Sequence, residues 1–288
     1  MTDLLTVADL GREGIEAILA LSELPDLGLP LAGKGVALVF QKPSSRTRSS
    51  MEMAVVQLGG HPVAIHKEEV GLGSRESAED VARTLACYHS VIAARVIDHR
   101  DLEAMAAATD TPLLNLLSDL AHPLQALADL LTVRQLLGTL EGARIAYIGD
   151  ANNVCRSLAE ACSLLGVELR LAAPDGYRLP ETLDHVTALA DPAEAVDGAD
   201  IVYTDVWVSM GQDEEAEERR RAFASYRVDE ALMRRCPDAR FLHCLPARRG
   251  EEVSAAVIDG PQSAIWQQAE NRMHTARGAL AWLTGARP

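Results

Sequence analysis

Two serines, a threonine and two arginines follow one another in the segment 44–48, Ser-Ser-Arg-Thr-Arg. An apolar run, Gly35–Phe40, predicts a buried strand before this segment, and Met51–Leu58 predicts a helix after it. Backbone N–H groups and the dipole at a helix N-terminus bind phosphate, and guanidinium groups add charge-assisted hydrogen bonds. A helix cap with solvated arginines is the alternative. The segment alone leaves both interpretations open.

Three further motifs follow in the chain: His-Pro-Leu-Gln at 122–125, Asp-Val-Trp-Val-Ser-Met-Gly at 205–211 and His-Cys-Leu-Pro at 243–246. Together with segment 44–48, and in this order, they resemble the aspartate/ornithine carbamoyltransferase family. The Ser-Met-Gly and His-Cys-Leu-Pro elements are similar to its ornithine branch. The resemblance covers nearly the whole chain, from about Leu5 to the last helix.

Strand-like runs alternate with helical ones in both halves of the chain, a pattern typical of parallel sheets with crossover helices. The predicted strands are Gly35–Phe40, Pro62–Ile65, Val91–Val96, Pro112–Leu116, Arg144–Ile148, Glu168–Ala172, Ile201–Thr204 and Arg240–Cys244. The motifs lie at or just beyond strand ends, where open parallel sheets bind ligands.

The predicted fold class is α/β, with two doubly wound parallel-sheet domains joined by long interdomain helices and the active site in the cleft. Residues 1–135, joined by the C-terminal helix 270–288, form the predicted carbamoyl phosphate-binding domain. Residues 136–269 form the predicted ornithine-binding domain. The long helix Pro123–Leu137 separates the halves, and a last helix covers about Asn271–Leu283.

The family resemblance implies transfer of a carbamoyl group from carbamoyl phosphate to the δ-amine of L-ornithine, which gives L-citrulline and phosphate. This chemistry needs a bound leaving group, a polarised carbamoyl oxygen and a neutral, well-aimed amine. It requires no metal and no organic cofactor. Direct attack by the amine is expected, although Cys244 leaves a covalent thiol mechanism open.

Matching the motifs residue by residue assigns the expected roles. The resemblance places carbamoyl phosphate on Ser44, Ser45, Arg46, Thr47, Arg95, His122, Gln125, Leu245 and Arg272. It places ornithine on Asn153, Asp205, Ser209 and Met210. The expected catalytic residues are Arg95, His122, Cys244 and Arg272.

The sequence departs from the family pattern in the segment 70–77. This segment matches a loop that reaches a neighbouring active site in trimeric members, and Gly71 stands where glutamine is usual. Weaker affinity for carbamoyl phosphate, or substitution by Ser74 or Arg75, is expected. Ser45 replaces the commoner threonine.

Composition limits the partners. The net charge of −15 argues against binding to nucleic acid or to anionic membranes. The five cysteines show no disulfide spacing, and the N-terminal residues show no signal-peptide pattern, so a cytoplasmic protein is expected. The charged run 213–221 predicts a solvated helix without a catalytic role. A homotrimer, or a multiple of it, is implied by the resemblance alone.

Three alternatives remain at this stage. The chain could carbamoylate another amine, such as an N-acylated ornithine or putrescine, or it could be a non-catalytic binding protein on the same scaffold. A nucleotide-dependent enzyme is disfavoured, because residues 148–153 lack the glycine fingerprint of dinucleotide sites. Arginine synthesis and breakdown share this site chemistry, so the physiological direction stays open.

Overall fold

A computed structural model of the protein describes residues 3–72, 75–209 and 213–288. The chain divides into two compact units. Unit 1 comprises residues 1–131 and 271–288, and unit 2 comprises residues 132–270. In the described residues, no helix is both long and apolar enough to cross a membrane.

Unit 1 is built on a parallel sheet of four strands with the order β2-β1-β3-β4. Its strands are β1 (Gly35–Phe40), β2 (His61–His66), β3 (Val91–Arg95) and β4 (Leu113–Leu117). Its helices are α1 (Gly11–Glu23), α2 (Ser45–Gln57), α3 (Lys67–Val70), α4 (Ala78–Ala86) and α5 (His99–Ala108). Helix α6 (Pro123–Leu137) begins in unit 1 and ends in unit 2.

Unit 2 is built on a parallel sheet of five strands with the order β7-β6-β5-β8-β9. Its strands are β5 (Arg144–Ile148), β6 (Glu168–Ala172), β7 (Val186–Leu189), β8 (Ile201–Thr204) and β9 (Arg240–His243). Its helices are α7 (Asn153–Leu165), α8 (Pro192–Val196), α9 (Ala216–Ala222), α10 (Glu230–Met233) and α11 (Ala255–Ile258). Helix α12 (Ile265–Leu283) begins in unit 2 and ends in unit 1.

The predicted α/β class with two parallel-sheet domains is confirmed. The central strands β3 and β8 are buried along their whole length, as is usual for mostly apolar strands inside a parallel sheet, and only their last residues, Arg95 and Thr204, are polar. The strand order reverses between β1 and β3 in unit 1, and between β5 and β8 in unit 2. Ligands of doubly wound sheets bind beyond the strand ends at such reversals. The motifs at 44–48 and 205–211 follow β1 and β8, whereas the motif at 122–125 follows β4 and the motif at 243–246 begins at the last residue of β9.

The helix after segment 44–48 begins at Ser45, six residues before the predicted start at Met51. Ser44 is its N-cap, and the Ser44 side chain accepts a hydrogen bond from the backbone N–H of Thr47. The Ser-Arg-Thr-Arg stretch is therefore the first turn of α2. Its polar residues carry no apolar periodicity, so the sequence pattern revealed only the later turns.

Other elements also differ from the sequence expectations. Helix α12 begins at Ile265, before the predicted Asn271, and neither α1 nor the edge strand β7 was predicted. The burial pattern of β7 shows no buried residue, so it has no apolar run that could signal a strand. Arg219, in the run expected to be solvated, is only 8% exposed.

Candidate functional site

The first turn of α2 presents hydroxyl groups and backbone amides beyond the end of β1. Ser44 donates its hydroxyl proton to Thr47 Oγ1 at 3.0 Å and accepts from the Thr47 N–H at 3.4 Å. Thr47 is buried, whereas Ser45 and Arg46 are exposed. Arg48 instead donates to Glu52 Oε1 at 2.7 Å, one turn further along the helix. The segment thus offers an anion one fixed hydroxyl and one exposed guanidinium.

Arg95, the last residue of β3, is a buried cation. The residue is 5% exposed, and its Nε has no hydrogen-bond partner among the described residues. Burial, together with the neighbouring charges of Arg272 and Arg46, lowers the pKa of Arg95 to about 10. Cations held this close together favour binding of an anion.

Arg272 on α12 is oriented by two polar side chains of unit 1. Its Nη1 donates to Gln125 Oε1, and its Nη2 lies 3.5 Å from Thr47 Oγ1. The amide nitrogen of Gln125 donates to Asp129 Oδ1 at 2.8 Å, and Asp129 is fully buried. Asp129 therefore fixes which end of the Gln125 amide faces Arg272.

Asp129 was missed in the sequence analysis. It stands four residues after Gln125, on the same face of α6, and that spacing is the signal that could have found it.

His122 immediately precedes α6 and is 4% exposed. Its pKa lies well below 6.5, first because burial disfavours the charged form, and then because Arg272 and Arg95 repel a third cation. His122 is therefore neutral at pH 7, and one ring nitrogen carries a proton that it can donate. A neutral imidazole in this position can polarise a carbonyl oxygen without serving as a base.

The depressed pKa of His122 predicts a loss of stability in acid. The unfolded chain binds this proton near pH 6.5 and the folded protein does not, so the contribution of His122 is present above pH 6.5 and is lost as the pH falls below it. The loss approaches about 1.4 kcal/mol per pH unit. Urea unfolding should therefore show that the free energy of unfolding decreases more between pH 7.5 and pH 5.5 for the wild type than for His122→Gln.

His61→Gln is the control for this comparison, because His61 is exposed. It should follow the wild type at both pH values. Equal decreases of the free energy of unfolding in the wild type and in His122→Gln would contradict the prediction.

Asp205 follows β8 and is the polar centre of unit 2. It is 6% exposed, and three donors reach its carboxylate. Cys244 Sγ lies 3.0 Å from Oδ1, the Val206 N–H lies 2.8 Å from Oδ1, and Asn152 Nδ2 lies 2.8 Å from Oδ2. A carboxylate offers about four acceptor positions, so these bonds leave Asp205 able to accept from one more donor.

The predicted contact at the start of α7 involves two adjacent asparagines. Asn152 is the N-cap of α7, where its Oδ1 accepts from the N–H groups of Val154 and Cys155 at 2.9 and 3.1 Å. Its side-chain nitrogen contacts Asp205, so Asn152 is a site residue that the sequence analysis missed. Asn153, the predicted residue, takes the first helical position, where backbone N–H groups attract carboxylates. Ser209 is half-buried, and Met210 lies outside the described residues.

The His-Cys-Leu-Pro motif begins at the last residue of β9. Both ring nitrogens of His243 are engaged, because Nδ1 accepts from the Leu245 N–H at 2.9 Å and Nε2 lies 3.0 Å from Glu252 Oε1. This fixes the backbone that carries Cys244 and Leu245. The thiol of Cys244 donates to Asp205, an arrangement that does not generate the thiolate required for covalent catalysis.

Ligand atoms of Asp205, His243 and Cys244 lie within 4.8 Å of one another, a spacing that a metal ion could use. The hydrogen bonds described above already occupy both nitrogens of His243 and most acceptor positions of Asp205. The potential ligand atoms of these three residues therefore already have hydrogen-bond partners within the protein.

The comparisons with known proteins cover both units. Residues 2–135 match the family model "Aspartate/ornithine carbamoyltransferase, carbamoyl-P binding domain", and residues 141–283 match the corresponding "Asp/Orn binding domain". The anabolic ornithine carbamoyltransferase of Pyrococcus furiosus is 43% identical over 303 residues, which cover 98% of this chain and 96% of that protein.

Two solved structures are also similar. The ornithine carbamoyltransferase of Thermus thermophilus has a TM-score of 0.92 at 43% identity, with 98% of this chain and 99% of that chain covered. The enzyme from Pyrococcus furiosus has a TM-score of 0.94 at 42% identity, with 99% and 98% covered.

Proposed function

This chain belongs to the aspartate/ornithine carbamoyltransferase family, and we propose that it transfers the carbamoyl group of carbamoyl phosphate to the δ-amine of L-ornithine. The products are L-citrulline and phosphate. The observation that carries the proposal is the group formed by Arg95, Arg272 and the neutral His122. It combines anion binding with a neutral hydrogen-bond donor.

Unit 1 binds carbamoyl phosphate in this proposal. The phosphate lies against the first turn of α2, where Ser44, Ser45, Arg46 and Thr47 provide hydroxyls, N–H groups and a positive charge. Arg95 contacts both the phosphate and the carbamoyl oxygen. The charge of the anion would offset the mutual repulsion of Arg95, Arg272 and Arg46.

The carbamoyl oxygen gains negative charge as the amine attacks. Arg95, Arg272 and His122 donate to this oxygen, and their positions are set before substrate binds. Gln125 accepts from the carbamoyl NH₂ with Oε1, the same atom that Arg272 contacts. Leu245 offers its carbonyl oxygen to the same NH₂ group.

Unit 2 binds the α-amino acid end of ornithine. Asp205 pairs with the α-ammonium through its remaining acceptor position, and Asn153 with the start of α7 binds the α-carboxylate. Ser209 and Met210 complete this contact. The thiol of Cys244 keeps its proton and donates it in a hydrogen bond to Asp205. Cys244 lies beside the reacting amine in this proposal and contributes through its position, not as a nucleophile.

The reaction is a direct acyl transfer. The neutral δ-amine forms a bond to the carbamoyl carbon, the electron pair of the C=O bond moves to oxygen, and its return expels phosphate. The amine loses one proton to the departing phosphate or to solvent. The cations that bind phosphate also stabilise it as the leaving group.

Assembly, compartment and pathway are further parts of the proposal. The family resemblance supports a homotrimer or a multiple of it, and the lack of disulfide spacing among the cysteines supports a cytoplasmic location. A role in arginine biosynthesis is supported by the relative from Pyrococcus furiosus, which is named as anabolic.

Citrulline formation from carbamoyl phosphate and L-ornithine tests the activity, with aspartate, N-acetylornithine and putrescine assayed in parallel. Turnover with ornithine alone is expected. Arg46→Ala should lower kcat/KM for carbamoyl phosphate by roughly 10²-fold, because a charged partner of the phosphate is lost. Arg83→Ala is the matched control, because Arg83 is an exposed arginine of the same unit that pairs with Asp80.

Other outcomes would reassign the protein. Turnover with N-acetylornithine or putrescine would move it to another amine substrate. Phosphate binding without turnover of any amine would indicate a non-catalytic protein on this scaffold.

A further inference from the structure

Side chains extend the connection between β5 and β8 beyond the strands themselves. The backbone ladder between these strands ends at the pair Tyr147 and Tyr203. Past that pair, the hydroxyl of Thr204 donates to the carbonyl oxygen of Ile148 at 2.6 Å, and Asn152 donates to Asp205. The segment 205–209, which carries the proposed ornithine contacts, is thus held to residues 148–152 by side chains.

Arg219 on α9 makes a second connection between the same two segments. Its Nη1 lies 2.8 Å from Asp150 Oδ2 and 3.2 Å from the carbonyl oxygen of Trp207, and its Nε donates to Glu215 at 3.1 Å. The side chains of Arg219 and Asp150 are only 9% and 8% exposed. The guanidinium carbon also lies 5.0 Å from the ring centre of Tyr177. A buried cation with this many partners has a defined position.

Gly149 provides the backbone conformation at which β5 turns toward segment 205–209. Its φ of +132° lies in a region that other residues rarely adopt. A Cβ atom there would lie 3.4 Å from Thr204 Oγ1 and 3.9 Å from Trp207 Cδ1. Trp207 in turn stacks on Phe223 at 5.9 Å in the core of unit 2. The backbone of segment 205–207 is therefore fixed on several sides.

We propose that Arg219 and Asp150 are positioning residues that hold segment 205–209 in the conformation that binds the α-amino acid end of ornithine. The inference rests on the proposed function, because it assigns these residues to the ornithine half of the same site. Neither residue contacts the substrate in this proposal. They act through the carbonyl oxygen of Trp207, two residues after Asp205.

Electrostatics alone would predict the opposite role for Arg219. The substrate group that Asp205 binds is a cation, and a second cation nearby weakens such binding. Asp150 is buried, and its pKa is raised to about 6 by burial and by the charge of Asp205, although Arg219 opposes this shift. If Arg219 acted only through its charge, its removal would make this region more negative and would lower KM for ornithine. If Arg219 acts as a positioning group, its removal raises KM for ornithine.

The test measures the kinetic constants of Arg219→Gln and Asp150→Asn. KM for ornithine should rise roughly ten-fold or more, because each variant loses charge-assisted hydrogen bonds that hold the binding segment. kcat should change much less, and the affinity of the free enzyme for carbamoyl phosphate should stay constant. Arg219→Lys keeps the charge without the forked geometry and should also raise KM.

Arg220→Gln is the matched control. Arg220 is the next residue of α9, and its side chain is 44% exposed and pairs with Glu251. The substitution makes the same change in charge, and KM should remain within about two-fold of the wild type.

Amide hydrogen exchange supplies a readout that needs no turnover. Protection of the amides of segment 205–209 should fall in Arg219→Gln and Asp150→Asn but not in Arg220→Gln. Unchanged protection, or an unchanged or lower KM, would overturn the inference. A wild type that makes no citrulline while the exchange difference persists would overturn the proposed function and leave the positioning role in place.

Discussion

Replacement of Arg95 by glutamine is expected to lower kcat for citrulline formation by roughly 10²- to 10³-fold while it raises the thermal stability of the ligand-free protein. The activity falls because Arg95 donates to both the phosphate and the developing oxyanion in the proposed mechanism. Removal of one preformed donor to an oxyanion has an effect of this size in other enzymes.

The stability should rise because Arg95 is an unfavourable cation in the absence of ligand. Its pKa is lowered to about 10 by burial and by the charges of Arg272 and Arg46, which means that the folded protein disfavours the charged form. Glutamine removes this charge and retains a polar side chain. The midpoint of thermal unfolding should rise by a few degrees.

Phosphate provides the second measurement on Arg95. Binding to the folded protein alone raises the unfolding midpoint, so phosphate should stabilise the wild type and have little effect on Arg95→Gln. Arg100→Gln is the control, since Arg100 lies just beyond β3 with its side chain 85% exposed. A variant that loses activity together with thermal stability would indicate a structural role for Arg95 and contradict the prediction.

Asp205→Asn is expected to raise KM for ornithine by roughly 10²-fold, with little change in the affinity of the free enzyme for carbamoyl phosphate. The substitution removes the negative charge proposed to pair with the α-ammonium. It also leaves one acceptor oxygen where the carboxylate accepts from Cys244, Val206 and Asn152. The amide NH₂ group of the variant would face donors, so the local hydrogen bonds must rearrange.

The separate measurement of carbamoyl phosphate binding distinguishes a local effect from general unfolding. Calorimetric titration of the variant should return the wild-type affinity, because the proposed binding side chains lie in unit 1 and Leu245 of unit 2 contributes only its backbone carbonyl. Asp200→Asn is the matched control. Asp200 precedes β8 at its opposite end and pairs with Arg144, so its loss should affect stability without changing KM. Equal increases of KM in both variants would argue against recognition of ornithine by Asp205.

Several parts of the structure follow from local sequence. The strands β1, β3, β5 and β8 are mostly apolar, and polar candidate residues stand at or soon after their carboxyl ends. The carboxyl ends of parallel strands are the usual place for ligands, so strand positions and motifs together predicted where the candidate residues lie. The first turn of α2 was not predicted as helix, because its polar residues show no helical periodicity, although Ser44 caps it.

Other contacts depend on residues far apart in the chain. Arg272 reaches Gln125 across 147 positions, and Arg219 reaches Asp150 across 69. In the sequence, Arg219 belongs to a charged run that predicts a solvated helix. Only the packing of α9 shows that this one arginine is buried, because local periodicity carries no information about a distant partner.

The sequence by itself determined the family, the α/β class and most of the residue types that the chemistry needs, because each motif is short and continuous in the chain. The tertiary structure decided how these residues are oriented. It showed that Asp129 orients Gln125, that Asn152 contacts Asp205, and that His122 is neutral beside two arginines. Burial and charge proximity set these properties, and both arise only when separate strands and helices pack together.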